Sequence, residues 1–97
     1  MRFRLHAHGF RLPEALSAYM QDRLDRLYDD FAAIMEGEVH LEEMGDKSPA
    51  REVRIHIRVP GEALHVSERA NEYQTAFDAA LGAIRRSLTR YKERLRS

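Results

Sequence analysis

The sequence predicts an α+β fold of order β-α-β-β-β-α: a two-layer sandwich of one four-stranded sheet with both helices on the same face. Three observations predict it. Four stretches alternate apolar and polar residues with period two, as half-buried strands do. Two longer stretches repeat apolar residues at three- and four-residue steps, as amphipathic helices do. Each of these elements has a single apolar face, and all those faces are buried together only when the two helices share one side of the sheet.

Residues 2 to 10 alternate, with Phe3, Leu5 and Ala7 facing one way and Arg2, Arg4, His6 and His8 the other. Gly9 to Leu12 turn the chain, and Pro13 opens the first helix, where its missing N–H costs nothing. Leu16, Met20, Leu24, Leu27 and Phe31 form the apolar stripe of that helix, flanked by Tyr19 and Tyr28. Asp22 and Arg26 make an i,i+4 pair of the stabilising orientation. After Gly37 a second strand runs from Glu38 to Glu43, with Val39 and Leu41 inward. Met44 to Ala50, with Gly45, Asp46, Ser48 and Pro49, is a loop. Arg51 to Val59 is the clearest strand, with Val53, Ile55, Ile57 and Val59 on one face. Pro60-Gly61 turns it into a fourth strand, Ala63 to Glu68, so the last three strands form an antiparallel meander. A helix between the first two strands implies a parallel, right-handed crossover. Asn71 is the expected N-cap of the last helix, with Glu72 in its first turn.

That last helix, Glu72 to Arg96, organises the functional reading. Tyr73, Phe77, Leu81, Ile84, Leu88, Tyr91 and Leu95 lie along one side. At ~100° per residue Arg86 falls opposite Phe77, with Arg90 and Arg94 rotated ~40° further at each step. These three make a cationic ladder, and Arg85, Lys92 and Arg96 form a second line nearer the core edge. Steps of about 6 Å along the axis are close to the separation of successive phosphates on one strand. The planar arginine fork grips phosphate oxygens bidentately. Arg23 and Arg26, on the first helix, can add to the same surface. No aromatic stacking platform is present, so the mode implied is backbone and shape recognition of structured RNA.

Composition agrees with that polarity. The 97 residues form one domain with a formal charge of zero, yet residues 85–96 carry six basic residues against one acid. The remainder is net acidic, and such a potential orients a protein on a polyanion. The absence of cysteine excludes disulfides and thiolate chemistry. The start lacks a signal-type apolar core and no apolar run approaches the ~20 residues of a membrane span, so a soluble, cytoplasmic protein with no membrane association is expected. Ser17, Ser48, Ser67 and Ser87 have no nucleophile context, and Gly61 and Gly82 are isolated. The chain is therefore read as a binding protein without enzymatic activity or cofactor. His6, His8, His40, His56 and His65, with Glu38 and Glu42, fall on the outward strand faces but lack a preset ligand spacing. They are read as solvated polar residues and not as a metal site.

These residues resemble the short hibernation-promoting factors, also called ribosome-associated inhibitor A or sigma-54 modulation proteins. The carriers are Glu14-Ala15-Leu16, Leu24 and Leu27 leading to Phe31, Leu64-His65-Val66-Ser67, Ala76-Phe77-Asp78-Ala79, and above all Arg86-Ser87-Leu88-Thr89-Arg90-Tyr91-Lys92-Glu93-Arg94-Leu95. The last is similar to the family pattern Arg-Gln-Leu-x-Lys-His-Lys-x-Lys-Leu. The resemblance implies a double-stranded-RNA-binding-domain-like fold. It also implies a protein that binds small-subunit rRNA in the decoding channel and holds ribosomes inactive under stress. Arg86, Arg90, Lys92 and Arg94 carry over to the family's RNA-contacting positions, Arg23 and Arg26 match basic positions of the first helix, and Arg85 lies beside them. Ala83 stands where the family usually has lysine. Long members carry an additional C-terminal domain that pairs ribosomes. The expectation here is a single ribosome-binding domain, 1–97, without that dimerisation domain, monomeric, and dependent on a partner such as a ribosome modulation factor for pairing. Two other readings stay open: a different RNA-binding module, or a protein-interaction module or homodimer acting on a transcription or stress-response partner.

Overall fold

The computed structural model describes residues 3–96, and the elements follow the expected order. They are β1 (Phe3–His8), α1 (Glu14–Asp30), β2 (Glu36–Glu43), β3 (Arg51–Val59), β4 (Glu62–Ala70) and α2 (Tyr73–Arg96). The sheet order is β1-β2-β3-β4. The β1–β2 pair is parallel, as a helical crossover requires, and the two following pairs are antiparallel. β3 runs over the residues its alternation predicts. Val53, Ile55, Ile57 and Val59 are buried on one face with Val39 and Leu41 of β2.

Both helices cover that apolar face. Met20, Leu24 and Leu27 of α1 and Ala76, Phe77, Ala80, Ile84, Leu88 and Tyr91 of α2 enter one continuous core. α2 packs over β3 and β4, while α1 touches β1 and α2. Tyr91 is buried, and its hydroxyl donates to the Pro60 carbonyl at 2.7 Å. This satisfies the one polar atom of the ring and ties α2 to the β3–β4 turn. Gly61 turns that corner at φ 87°, a conformation that only glycine adopts without strain.

The ends of several elements differ from the periodicity. β1 stops at His8, because Gly9 takes φ 82° and breaks the pleat; the predicted Arg2 lies outside the described residues. β2 starts earlier, at Glu36. Gly37 pairs with both Phe3 and Ile57, its missing side chain giving room to the Phe3 ring. β4 is longer than expected, Glu62 to Ala70, and its inward residues Leu64 and Val66 are only half-buried because it is an edge strand. Phe31 packs against the core as the α1 stripe predicts, but from just past the helix. It is the C-cap, its N–H bonding the carbonyls of Leu27 and Tyr28. Asn71 does not cap α2: the Glu72 carbonyl accepts the Ala76 N–H, which puts Glu72 at the cap position. Arg51 meets this start of the helix, its guanidinium binding both the Asn71 carbonyl and the Glu72 carboxylate. Leu95, placed in the apolar stripe by its spacing, is 67% exposed. The helix has by then run beyond Tyr91, the last α2 residue in the core.

Candidate nucleic-acid interface

The cationic residues of α2 stand where the helix turns them, and the acids they meet come from distant parts of the chain. Arg86 and Arg90 are exposed on the side away from Phe77. Among the described residues, neither has an ion-pair partner; Arg90 donates to the Ser87 hydroxyl one turn back, at 3.3 Å. The ladder keeps drifting round the helix by ~40° per four-residue step. By Arg94 it has come round to β4, where one guanidinium nitrogen lies 2.9 Å from both carboxylate oxygens of Glu62. The Arg94 guanidinium also lies over the Tyr91 ring, 5.8 Å from its centroid.

The second line faces α1. Arg85 is half-buried and binds Asp30 at the end of α1, at 2.8 Å, with Phe31 below its guanidinium. Lys92 is exposed and lines, with Asp29, Asp30, Phe31 and Leu95, a shallow cavity between the ends of the helices. Arg96 is exposed at the last turn.

On α1, Arg23 and Arg26 both reach Asp22, at 3.0 and 3.5 Å. Arg23 also lies over the Tyr19 ring, 3.8 Å from its centroid. The Tyr19 hydroxyl in turn donates to Asp78 of α2 at 2.8 Å. That bond, followed by burial and then by the proximity of the Asp78 carboxylate, raises the Tyr19 pKa above its ordinary value. Tyr19–Asp78 and Asp30–Arg85 thus bridge two successive levels of the helix pair, and Arg23 sits on the seam they make.

The seven predicted basic residues therefore divide. Arg86, Arg90 and Lys92 are exposed cations without an internal acid among the described residues. Arg94, Arg85, Arg23 and Arg26 are each shared with an acid of this chain. Sequence reasoning passed over two acids that set this division, Asp30 and Glu62. Asp30 and Glu62 lie 55 and 32 residues from the arginines they hold, and no local spacing marks them.

The family model described as Sigma 54 modulation protein / S30EA ribosomal protein matches residues 3–96 of the chain. Comparison with curated protein sequences gives no match. Among solved structures, a ribosomal subunit interface protein from Coxiella burnetii superposes with a TM-score of 0.84 at 15% identity, covering 96% of this chain and 99% of that one. The N-terminal domain of Thermus thermophilus Protein Y gives 0.75 at 19% identity, covering 91% and 94%. At such identities the two superpositions establish the fold.

Proposed function

The chain belongs to the Sigma 54 modulation protein / S30EA ribosomal protein family, and from that premise we propose that it binds the small ribosomal subunit through the outer face of α2. The ligand is rRNA backbone in the decoding channel, and the outcome is a ribosome held inactive under stress. The observation that carries this reading is the exposed pair Arg86 and Arg90, which project from a helix anchored by Phe77, Ile84, Leu88 and Tyr91 and share their charge with no acid among the described residues. The packed helix fixes the backbone in advance, and the planar arginine fork loses less freedom per hydrogen bond formed than a flexible ammonium does. Lys92 and Arg94 extend the surface along α2, and Arg23, Arg26 and Arg85 border it at the α1 seam.

Phosphate contacts release counterions, so the proposal makes affinity steeply salt-dependent. The test is co-sedimentation with purified small subunits across a salt series, comparing the parent with the Arg86→Ala, Arg90→Ala, Arg94→Ala triple variant. About four phosphate contacts give a log–log slope of roughly −3, and the triple variant should stay folded, flatten that slope and lose co-sedimentation. Equal binding by parent and variant at moderate salt overturns the reading. Binding that ignores salt supports a protein-interaction module instead.

A further inference from the structure

We propose that the outer face of the sheet carries a divalent transition-metal site, made by His6 Nε2, His40 Nε2 and Glu38 Oε1, with zinc as the ion that fits. This face is opposite the two helices and takes no part in the RNA-binding proposal.

The site follows from strand register. β1 and β2 are parallel neighbours, with His6 opposite His40 and Arg4 opposite Glu38. Period-two alternation then puts Arg4, His6, His8, Glu38 and His40 on one face. Glu38 Oε1 lies 3.0 Å from His40 Nε2 and 3.9 Å from His6 Nε2. A donor atom from each of His6, Glu38 and His40 lies within 4.8 Å of the other two. Tetrahedral zinc with bonds of ~2.0–2.1 Å sets neighbouring donors about 3.3 Å apart. The two measured separations fall on either side of that value, so rotations of these half-buried side chains close the set. Two imidazole nitrogens and one carboxylate oxygen are zinc-type donors, and three protein ligands leave the fourth position to water.

A second observation points the same way. His6 Nε2 is shielded from solvent and has no hydrogen-bond partner among the described residues. A shielded nitrogen without a partner is costly, and coordination satisfies it. Supporting contacts are also in place. His40 Nδ1 lies 2.9 Å from His8 Nε2, so with His40 Nε2 on the ion its Nδ1–H donates to His8 and fixes the tautomer. Arg4 donates to the other oxygen of Glu38 at 2.9 Å, holding the carboxylate in place. The His6 and His40 rings are stacked at 4.6 Å with their planes 15° apart, and a turn of one ring about its Cβ–Cγ bond brings both in-plane lone pairs to a common ion. His56 and His65 also pair across strands, at 4.1 Å, but belong to no such donor group among the described residues, and they serve as the control.

The test is calorimetric titration of the chelator-treated chain with zinc chloride near neutral pH, checked by the visible spectrum of the cobalt(II) form. The expected result is saturable binding of one ion per chain and the intense d–d bands of a tetrahedral cobalt centre. His6→Ala and His40→Ala should each weaken binding at least tenfold, and His8→Ala, which removes a supporting contact, by roughly ten- to a hundredfold. The His56→Ala, His65→Ala double variant should bind as the parent does. Circular dichroism verifies that each variant is folded, and the cobalt spectrum of the parent tests the site independently of any variant. No saturation up to millimolar zinc, an octahedral cobalt spectrum, one ion per two chains, or undiminished binding by folded His6→Ala and His40→Ala would each overturn the site.

Discussion

Arg94 of α2 and Glu62 at the start of β4 form an ion pair in which one guanidinium nitrogen is 2.9 Å from both carboxylate oxygens. The cationic ladder is therefore uneven. Its first two rungs are open, and its last is shared with an acid of the same molecule. A phosphate that takes Arg94 must displace Glu62. Both groups are about half exposed, so the pair contributes little to stability, within ~1 kcal/mol. Glu62→Gln should leave the fold unchanged and release Arg94. Ribosome binding should then tighten several-fold, because a phosphate no longer has to displace the acid. Unchanged affinity in co-sedimentation would remove Arg94 from the interface.

The same asymmetry ranks the arginines. Arg86→Ala and Arg90→Ala together should flatten the slope by about 1.4–1.8. Arg94→Ala alone should do less, because its free-state partner already competes for it. Surface changes of this kind usually alter stability by no more than ~0.5 kcal/mol, so melting curves should overlay. A larger effect from Arg94→Ala than from the double variant reverses the ranking.

Parts of this arrangement were legible before any coordinates and parts were not. The run Val53, Ile55, Ile57 and Val59 reads as a strand because burial on one face leaves a period-two mark. The α2 stripe through Phe77, Ile84 and Leu88 leaves a 3.6-residue mark in the same way. Leu95 carries the same mark without being buried, since periodicity records which side of a helix a residue is on and not where its support ends. Phe31 keeps its inward side although the chain has already left the helix there. At the α2 start, local cap preference favoured Asn71, whereas the helix begins from Glu72, where Arg51 binds both the Asn71 carbonyl and the Glu72 carboxylate. The positions of Arg86 and Arg90 opposite the core follow from helical geometry alone. Pairing with Asp30 and Glu62, and the meeting of His6 with Glu38 and His40, depend on strand register and helix placement. A single sequence carries no direct mark of either.

Gly37 is the tightest point of the β1–β2 edge. A Cβ built there would lie 2.7 Å from Phe3 Cδ1 and 3.3 Å from the His56 carbonyl oxygen. The Phe3 ring, only 4% exposed, has little room to retreat. Gly37→Ala should cost about 1–3 kcal/mol, the usual range for overpacking. Adding Phe3→Leu should recover part of that loss, a coupling that a double-mutant cycle of denaturant midpoints detects. Purely additive effects would show that the ring is not the obstacle.

Gly82 is the opposite case. It lies in the interior of α2, and a Cβ there meets only the Arg86 guanidinium, at an ordinary 3.6 Å. Gly82→Ala should stabilise by ~1 kcal/mol through helix propensity, raising Tm by about 4–8 °C for a domain of this size. Salt-dependent ribosome binding should be retained, because the added methyl touches Arg86 without displacing it. Loss of binding with the expected gain in Tm would mean that RNA packs against the helix backbone at this glycine.

Tyr19 joins the helices through its hydroxyl while its ring lies under Arg23, and these two roles can be separated. Tyr19→Phe removes the 2.8 Å bond to Asp78 and keeps the ring for Arg23 and for the edge contact with Phe77. The bond is exposed, so its loss should cost no more than ~0.5–1 kcal/mol at neutral pH. Its pH dependence has a definite sign. The folded-state pKa of Tyr19 is raised above 10.0, chiefly by the Asp78 hydrogen bond. The folded protein therefore holds this proton more tightly than the unfolded chain does. The contribution is complete below the ordinary tyrosine pKa and is lost as pH rises through the higher folded value. Denaturant midpoints of parent and Tyr19→Phe should differ by a constant amount from neutral pH to just below that range, and the difference should shrink as the hydroxyl ionises. A gap that instead widens with alkalinity would mean that the phenolate, and not the hydroxyl bonded to Asp78, is the stabilising form.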